Sequence, residues 1–130
     1  MVQGVIGSEG PGDAAVIKPV HDVDAALALS SDVNPRYMER DPYWGAASAI
    51  DETVRNLAAV GARISSVCDN LNFGNPQKPD RMWELEEAAR GLGDMARGLG
   101  VPFSSGNVSL YNEGPTRSIP PTPTIMGVGI

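Results

Sequence analysis

Asp41-Pro42-Tyr43-Trp44-Gly45-Ala46 opens the stretch that decides the fold, and Gly61-Ala62-Arg63-Ile64-Ser65-Ser66-Val67-Cys68-Asp69 closes it. Asp at an N-cap position followed by Pro at the first helical position is a helix start. Ala46, Ala49, Ile50, Val54, Leu57 and Val60 then recur at three- and four-residue spacing, which makes one face apolar. Gly61 supplies the C-cap glycine that ends the helix. Ala62 to Asp69 changes to a strand-like run, so this stretch reads as a helix feeding a strand.

Working toward the C-terminus, Leu71 to Pro79 reads as a loop rich in Asn, Gly and Pro. A second helix is expected from about Asp80, with Leu85, Ala88, Leu92, Met95 and Leu99 as its buried stripe and Gly100 as its cap. Gly91, Gly93 and Gly98 weaken it by about 1 kcal/mol each relative to Ala, and tight packing against a sheet is the favoured reason for their presence. Val101 to Ser105 reads as a strand, Gly106 to Pro121 as a long loop and Thr122 to Ile130 as a final strand. Toward the N-terminus, Ala14 to Val20 and Ala25 to Ser30 read as paired strands with a turn, residues 1–13 as a loop, and Ser31 to Tyr37 is polar and proline-punctuated. The order β-β-α-β-α-β-β predicts an α+β fold: a mixed sheet with two helices on one face. No element remains for the other face, which predicts pairing there with another copy or another domain.

The 130 residues fit a single domain, and 42% apolar residues suffice for a packed core. A net charge of −6 argues against a nucleic-acid groove. It leaves room for a phosphorylated ligand bridged by Mg²⁺. Cys68 is the one cysteine, so no intrachain disulfide forms and a reducing compartment is expected. No apolar run approaches the roughly 20 residues that span a bilayer, and no signal-peptide pattern opens the chain. The cytoplasm is therefore expected. The chain begins in a Gly-rich stretch and stops at Ile130 inside a strand-like run, which suggests a segment of a longer polypeptide.

Two strings carry chemistry: Cys68-Asp69-Asn70-Leu71-Asn72-Phe73-Gly74-Asn75-Pro76 and Ser104-Ser105-Gly106-Asn107-Val108-Ser109-Leu110-Tyr111-Asn112-Glu113. Both read as loops at strand C-terminal ends, where open α/β sheets bind ligands. Asp69 offers a carboxylate and Asn107 a neutral oxygen suited to a hard cation. Gly106 permits close backbone approach, and Ser109 can donate to a phosphate or hydroxyl. The same residue types are ordinary turn formers, so chemistry alone divides evenly between a ligand site and plain turns.

These two strings, with Ala28-Leu29-Ser30-Ser31-Asp32-Val33-Asn34-Pro35-Arg36-Tyr37 and Asp41 to Ala46, resemble signatures of the synthetase subunit of phosphoribosylformylglycinamidine synthase, in the PurM-like superfamily. The resemblance runs from about Gly10 to Ile130 and is to the N-terminal-type domain of that subunit's second half. It implies a PurM-like domain whose sheets pair across a pseudo-dimer into a barrel. It also implies an ATP-dependent C–N ligase of purine biosynthesis, acting on formylglycinamide ribonucleotide with ammonia from a glutaminase partner. By position, Asp69 and Gly106 then resemble ATP contacts, Asn107 a Mg²⁺ ligand and Ser109 a substrate contact, with Asp69 and Asn107 sharing one site. The family's first half carries a His-Asn-His-Pro segment with a catalytic histidine where this chain has Val33-Asn34-Pro35. The catalytic lysine segment is also missing. No catalytic residue is therefore assigned, the isolated chain is expected to be inactive, and it is expected to form a homodimer.

Plainer readings stand beside these. His21 reads as a surface turn residue and Cys68 as a small buried hydrophobe at a strand end. Asp13 is left unassigned. Asp32 is either a turn residue or a nucleotide-site carboxylate. Arg36 and Arg40 are either phosphate contacts or surface arginines. Trp44 and Trp83 are expected to pack on the buried helix faces.

Overall fold

The computed structural model describes residues 12–130; most of the Gly-rich segment expected to be a loop, residues 1–11, lies outside them. The elements in order are β1 (Ala15–Ile17), β2 (Leu27–Asp32), α1 (Pro35–Met38), α2 (Pro42–Ala59), β3 (Ile64–Asn72), α3 (Pro79–Leu99), β4 (Phe103–Ser109) and β5 (Thr122–Gly129). The five strands form one mixed sheet in the order β1-β2-β5-β3-β4. Only the β3–β4 pair is parallel. A parallel pair needs a crossover, and α3 supplies it.

The helix ends obey their local chemistry. The Asp41 side chain accepts from the Trp44 backbone N–H at 3.0 Å, and Pro42 occupies the first turn. At the other end Gly61 takes φ +84°. That conformation lets Ala62 N–H reach Leu57 C=O at 3.0 Å and Gly61 N–H reach Ala58 C=O at 2.9 Å, closing the helix as a Schellman motif. Gly100, at φ +67°, ends α3 in the same left-handed conformation.

Strand pleating sorts the side chains. Ala28, Ser30 and Asp32 of β2 share the helix-side face with Ile125 and Gly127 of β5 and Val67, Asp69 and Leu71 of β3. The core gathers Ile50, Ala46 and Ala49 of α2, Ala88, Leu92 and Ala96 of α3, Val67, Ile125, Phe73 and Met38. Both long helices therefore lie on one side of the sheet. The opposite face carries Leu29, Val128, Met126, Cys68, Asn70 and Asn107, no element among the described residues covers it, and Met126 is 40% exposed.

Several sequence expectations need correction. The polar, proline-punctuated segment 31–37, given no element from the sequence, contains β2's last residues and the start of the short helix α1, which is capped by Asn34 Oδ1 accepting from Tyr37 N–H at 3.3 Å. Strands β3 and β4 run farther than expected, to Asn72 and Ser109, so most of both motif strings is strand rather than loop. Trp44 and Trp83 do not pack on buried faces; they are 62% and 54% exposed. Cys68 lies within β3 on the open face and is half-buried. Asp32 lies in a strand and not in a turn. It is buried in β2 and accepts hydrogen bonds from Thr53 Oγ1 (2.8 Å), Asn56 Nδ2 (2.7 Å) and the Ser30 hydroxyl, tying the strand to α2. A buried carboxylate without a cation beside it is tolerated only when such donors satisfy it.

The glycines of α3 differ from one another. A Cβ at Gly91 would sit 2.2 Å from the Tyr43 carbonyl oxygen, so this glycine exists for the close approach of α2, not of the sheet. Gly98 has nothing within 4 Å of its Cβ position. Gly98→Ala should therefore raise stability by about 1 kcal/mol, the helix-propensity difference. Gly91→Ala should lower it by about 3 kcal/mol or more, because rigid backbone must move. Urea unfolding of the two variants tests the contrast; equal effects would mean the helices do not meet at Gly91.

Candidate functional site

The parallel register of β3 on β4 pairs Asp69 with Gly106, Asn70 with Asn107, and Asn72 with Ser109. All four residues singled out from the sequence therefore lie on two adjacent strands, within one short patch at the sheet edge. Gly106 leaves room there: a Cβ would stand 2.6 Å from Asp69 Oδ1, so a larger residue would require the carboxylate to turn away. The absent side chain is the space the carboxylate fills. Burial raises the Asp69 carboxyl above its usual range, while the Asn107 backbone N–H beside it pulls the other way.

Asn107 does not share Asp69's face. It follows Gly106 in the pleat, so its side chain emerges on the open side, where Nδ2 donates to Asn70 Oδ1 at 3.1 Å. The link between Asp69 and Asn107 thus runs through the backbone N–H of residue 107. Among the described residues no three His, Cys, Asp or Glu side chains converge on a cation position. What the chain offers is the Asn107 Oδ1, a neutral oxygen that fits an ion whose remaining ligands are phosphate oxygens and water.

Ser109 stands beside Asn72 on the same open side. Beyond it the two strings fasten together. Phe73 N–H donates to Ser109 C=O at 3.0 Å, and Tyr111 N–H to Gly74 C=O at 3.1 Å. Asn112 Nδ2 donates to the carbonyls of Phe73 (3.0 Å) and Ser109 (2.9 Å). Glu113 accepts from the Asn75 backbone N–H (2.7 Å), Lys78 Nζ (2.8 Å) and Ser118 Oγ (2.8 Å). Lys78 and these donors hold the Glu113 carboxyl down to about 2. Residues 110–121 are thereby strapped to the start of α3. Sequence reasoning gave no separate role to Asn70, Asn75, Asn112 or Glu113. Their only signal was membership in the same two strings.

The other candidates fall away from this patch. His21 is exposed in the β1–β2 turn, and Asp13, Arg36 and Arg40 are exposed as well. A cavity of about 440 Å³ between α1, α3 and residues 117–121 contains none of the four singled-out residues. Its cations are already matched: Lys78 with Glu113, Arg81 with Asp80 and Glu84, and Arg117 with Glu39 at 3.9 Å. Among the described residues no helix is long and apolar enough to cross a membrane.

A five-stranded mixed sheet with both helices on one side is shared with a known domain class. Residues 11–130 match the AIR synthase related protein, N-terminal domain, and the chain belongs to that family. In particular, it is similar to the phosphoribosylformylglycinamidine synthase subunit PurL of Methanothrix thermoacetophila. The two are 48% identical over 129 residues, covering 93% of this chain and 17% of the relative. Two solved structures share the fold: T. maritima PurL complexed with ATP and T. maritima PurL complexed with FGAR. Each has a TM-score of 0.82 and 32% identity, covering 89% of this chain and 19% of theirs. This chain spans about a sixth of the length of the curated relative.

The Asp69 geometry carries a pH dependence. Its folded-state pKa is raised, so below the unfolded value both states are protonated and nothing is lost. As pH rises past the unfolded carboxylate pKa toward the folded one, stability falls, and the loss is complete above both. Asp69→Asn should therefore stabilise the ligand-free chain at pH 7, by less than about 1 kcal/mol because the carboxylate is largely open to water. The gain should vanish below the carboxylate range. Thermal melts at pH 7 and pH 3 check this; a destabilised Asn variant at pH 7 would contradict it.

Proposed function

We propose that this chain is one PurM-like domain, spanning residues 1–130, of the synthetase subunit of phosphoribosylformylglycinamidine synthase, in the position of the N-terminal-type domain of its second half. The observation that carries the reading is the Asp69–Gly106 pairing at the parallel edge, in a chain similar to a PurL solved with ATP and with FGAR. The intact subunit then transfers the ATP γ-phosphoryl group to the glycinamide carbonyl oxygen of formylglycinamide ribonucleotide, and the formyl group is untouched. Ammonia from a glutaminase partner adds to the activated carbon, and phosphate leaves with the former glycinamide oxygen to give the amidine.

Within that scheme Asp69 and Gly106 contact the nucleotide, Ser109 the substrate, and Asn107 Oδ1 holds Mg²⁺. When bound, Mg²⁺ neutralises phosphate charge. The raised Asp69 carboxyl suits a hydroxyl or amino group of the nucleotide better than its phosphates, since like charges would repel. Gly106 keeps the strand low enough for the ligand to reach that carboxylate. The reading places the protein in the cytoplasm, consistent with its one free thiol, Cys68.

A second reading has its own support: this domain holds nucleotide without turning it over. The only histidine, His21, is exposed in a turn, and no other imidazole is available for proton transfer. General acid–base work needs a group within hydrogen-bond reach of the reacting atoms. Under both readings the chain alone is not a complete enzyme.

Two measurements test the proposal. Calorimetric titration with Mg²⁺-ATP should show binding that Asp69→Ala weakens about tenfold, the cost of one hydrogen bond to a charged group. Equal affinity for both proteins would sink the assignment of Asp69. Incubating the chain with formylglycinamide ribonucleotide, ATP, Mg²⁺ and ammonium should release no substrate-dependent phosphate; release at the intact enzyme's rate would show that one domain carries the whole site.

The open sheet face supports a further expectation of this reading, a C₂ homodimer of the isolated chain. Sedimentation at tens of micromolar, roughly the range in which such pairs are usually assayed, should show it. A monomer there would count against the face as an interface.

A further inference from the structure

We infer that Asn112 is a positioning residue: it fixes the Ser109 hydroxyl as a hydrogen-bond donor aimed at an acceptor oxygen of the bound substrate. The inference rests on the reading of Ser109 as a substrate contact. Its starting point is the pair of carbonyls that hold Asn112. Phe73 C=O and Ser109 C=O both accept from Nδ2, at 3.0 and 2.9 Å, so the amide is turned with its nitrogen toward Ser109. The same nitrogen stands 3.1 Å from Ser109 Oγ. An amide nitrogen has two N–H groups, so one of them is shared between the carbonyl and hydroxyl oxygens of Ser109, a three-centre contact that holds Oγ and leaves the hydroxyl proton to be placed elsewhere.

Among the described residues that proton has one acceptor in reach, Asn112 Oδ1 at 3.4 Å. This is long for an O–H···O bond, which favours about 2.7–2.8 Å. The hydroxyl is held in place at its oxygen yet poorly satisfied at its proton. A half-buried group in that state is prepared to donate to an incoming ligand. A phosphate or carbonyl oxygen answers it; an ammonium or amide N–H does not.

The backbone shows that this arrangement is built. Tyr111 is the non-glycine residue with positive φ, at +60°, a conformation that costs energy for a side chain of this size. The left-handed turn brings Asn112 back over Ser109 and Phe73. Asn112 N–H to Phe73 C=O (3.2 Å) and Tyr111 N–H to Gly74 C=O (3.1 Å) hold the turn. Glu113, fixed by Asn75, Lys78 and Ser118, anchors its far side. Strain is kept here, and its product is the placement of one amide against one hydroxyl.

The test is a double-mutant cycle in the intact synthetase subunit carrying this segment, with KM for formylglycinamide ribonucleotide, kcat and melting temperature measured for each variant. Ser109→Ala and Asn112→Ala should each raise KM about tenfold, the effect of one charge-assisted hydrogen bond. The double variant should raise it no further than either single one, because both remove the same contact. A wild-type KM for Asn112→Ala beside a raised KM for Ser109→Ala would overturn the positioning role, whatever the melting temperature does. So would strictly additive effects. A wild-type KM for Ser109→Ala would instead remove the substrate-contact reading of Ser109 itself, and the inference with it.

Discussion

The parallel pairing of β3 with β4 is the contact on which the rest of the molecule depends. Every other strand pair in the sheet is antiparallel, and only this one demands a crossover helix. α3 meets the demand, and its length sets where β4 begins. The pairing brings two strings separated by α3 into register over residues 68–72 and 105–109. The register then dictates which side chains meet. Asp69 faces a glycine whose missing side chain gives its carboxylate room, and Asn70 faces an amide that can bond to it. A site made this way needs no large cavity, because strand geometry holds its groups in place.

The two aspartates on the helix-side face show how environment separates a structural carboxylate from one left open to a ligand. Asp32 is buried, and hydroxyl and amide donors from β2 and α2 surround it, so it acts as a fastener. Asp69 lies two strands away across Ile125. It meets no side-chain donor of that kind, and its ionised form is disfavoured by burial. A carboxylate that the fold leaves under-satisfied is a feature of sites that wait for a partner. The buried one is part of what makes the scaffold rigid enough for the other to be useful.

Much of this was legible in the sequence where local rules are strong. Asp41-Pro42 and Gly61 bounded α2, and Gly100 ended α3, because caps depend on a few neighbouring atoms. The mixed sheet with helices on one side followed from the order of elements. The strand ends were not legible. Asn70 to Asn72 and Gly106 to Ser109 look like turn residues, and β pairing with a distant segment overrode that propensity. Helix α1 was hidden because Asn34-Pro35 reads equally as a turn. Trp44 and Trp83 show the limit of residue type as a guide to burial: both sit on long helices yet face outward. Asp69 and Gly106 were both singled out from their strings, but their direct contact was invisible until the register was known. The division of Asp69 and Asn107 between opposite faces was equally hidden, for the same reason.

Because side chains alternate across the sheet with a period of two, the register also limits how these segments can change in length. Adding or deleting one residue within 68–72 or 105–109 would exchange the faces of everything beyond it. Asp69 would lose its glycine, and the asparagines would turn toward the helices. Point substitutions in the strings can be graded in effect; a single-residue insertion cannot. The turn residues 113–118 outside the paired strands have no such restriction on the β4 register, since they precede only β5. Length variation among natural relatives should accordingly be confined to that connection and absent from the two strands.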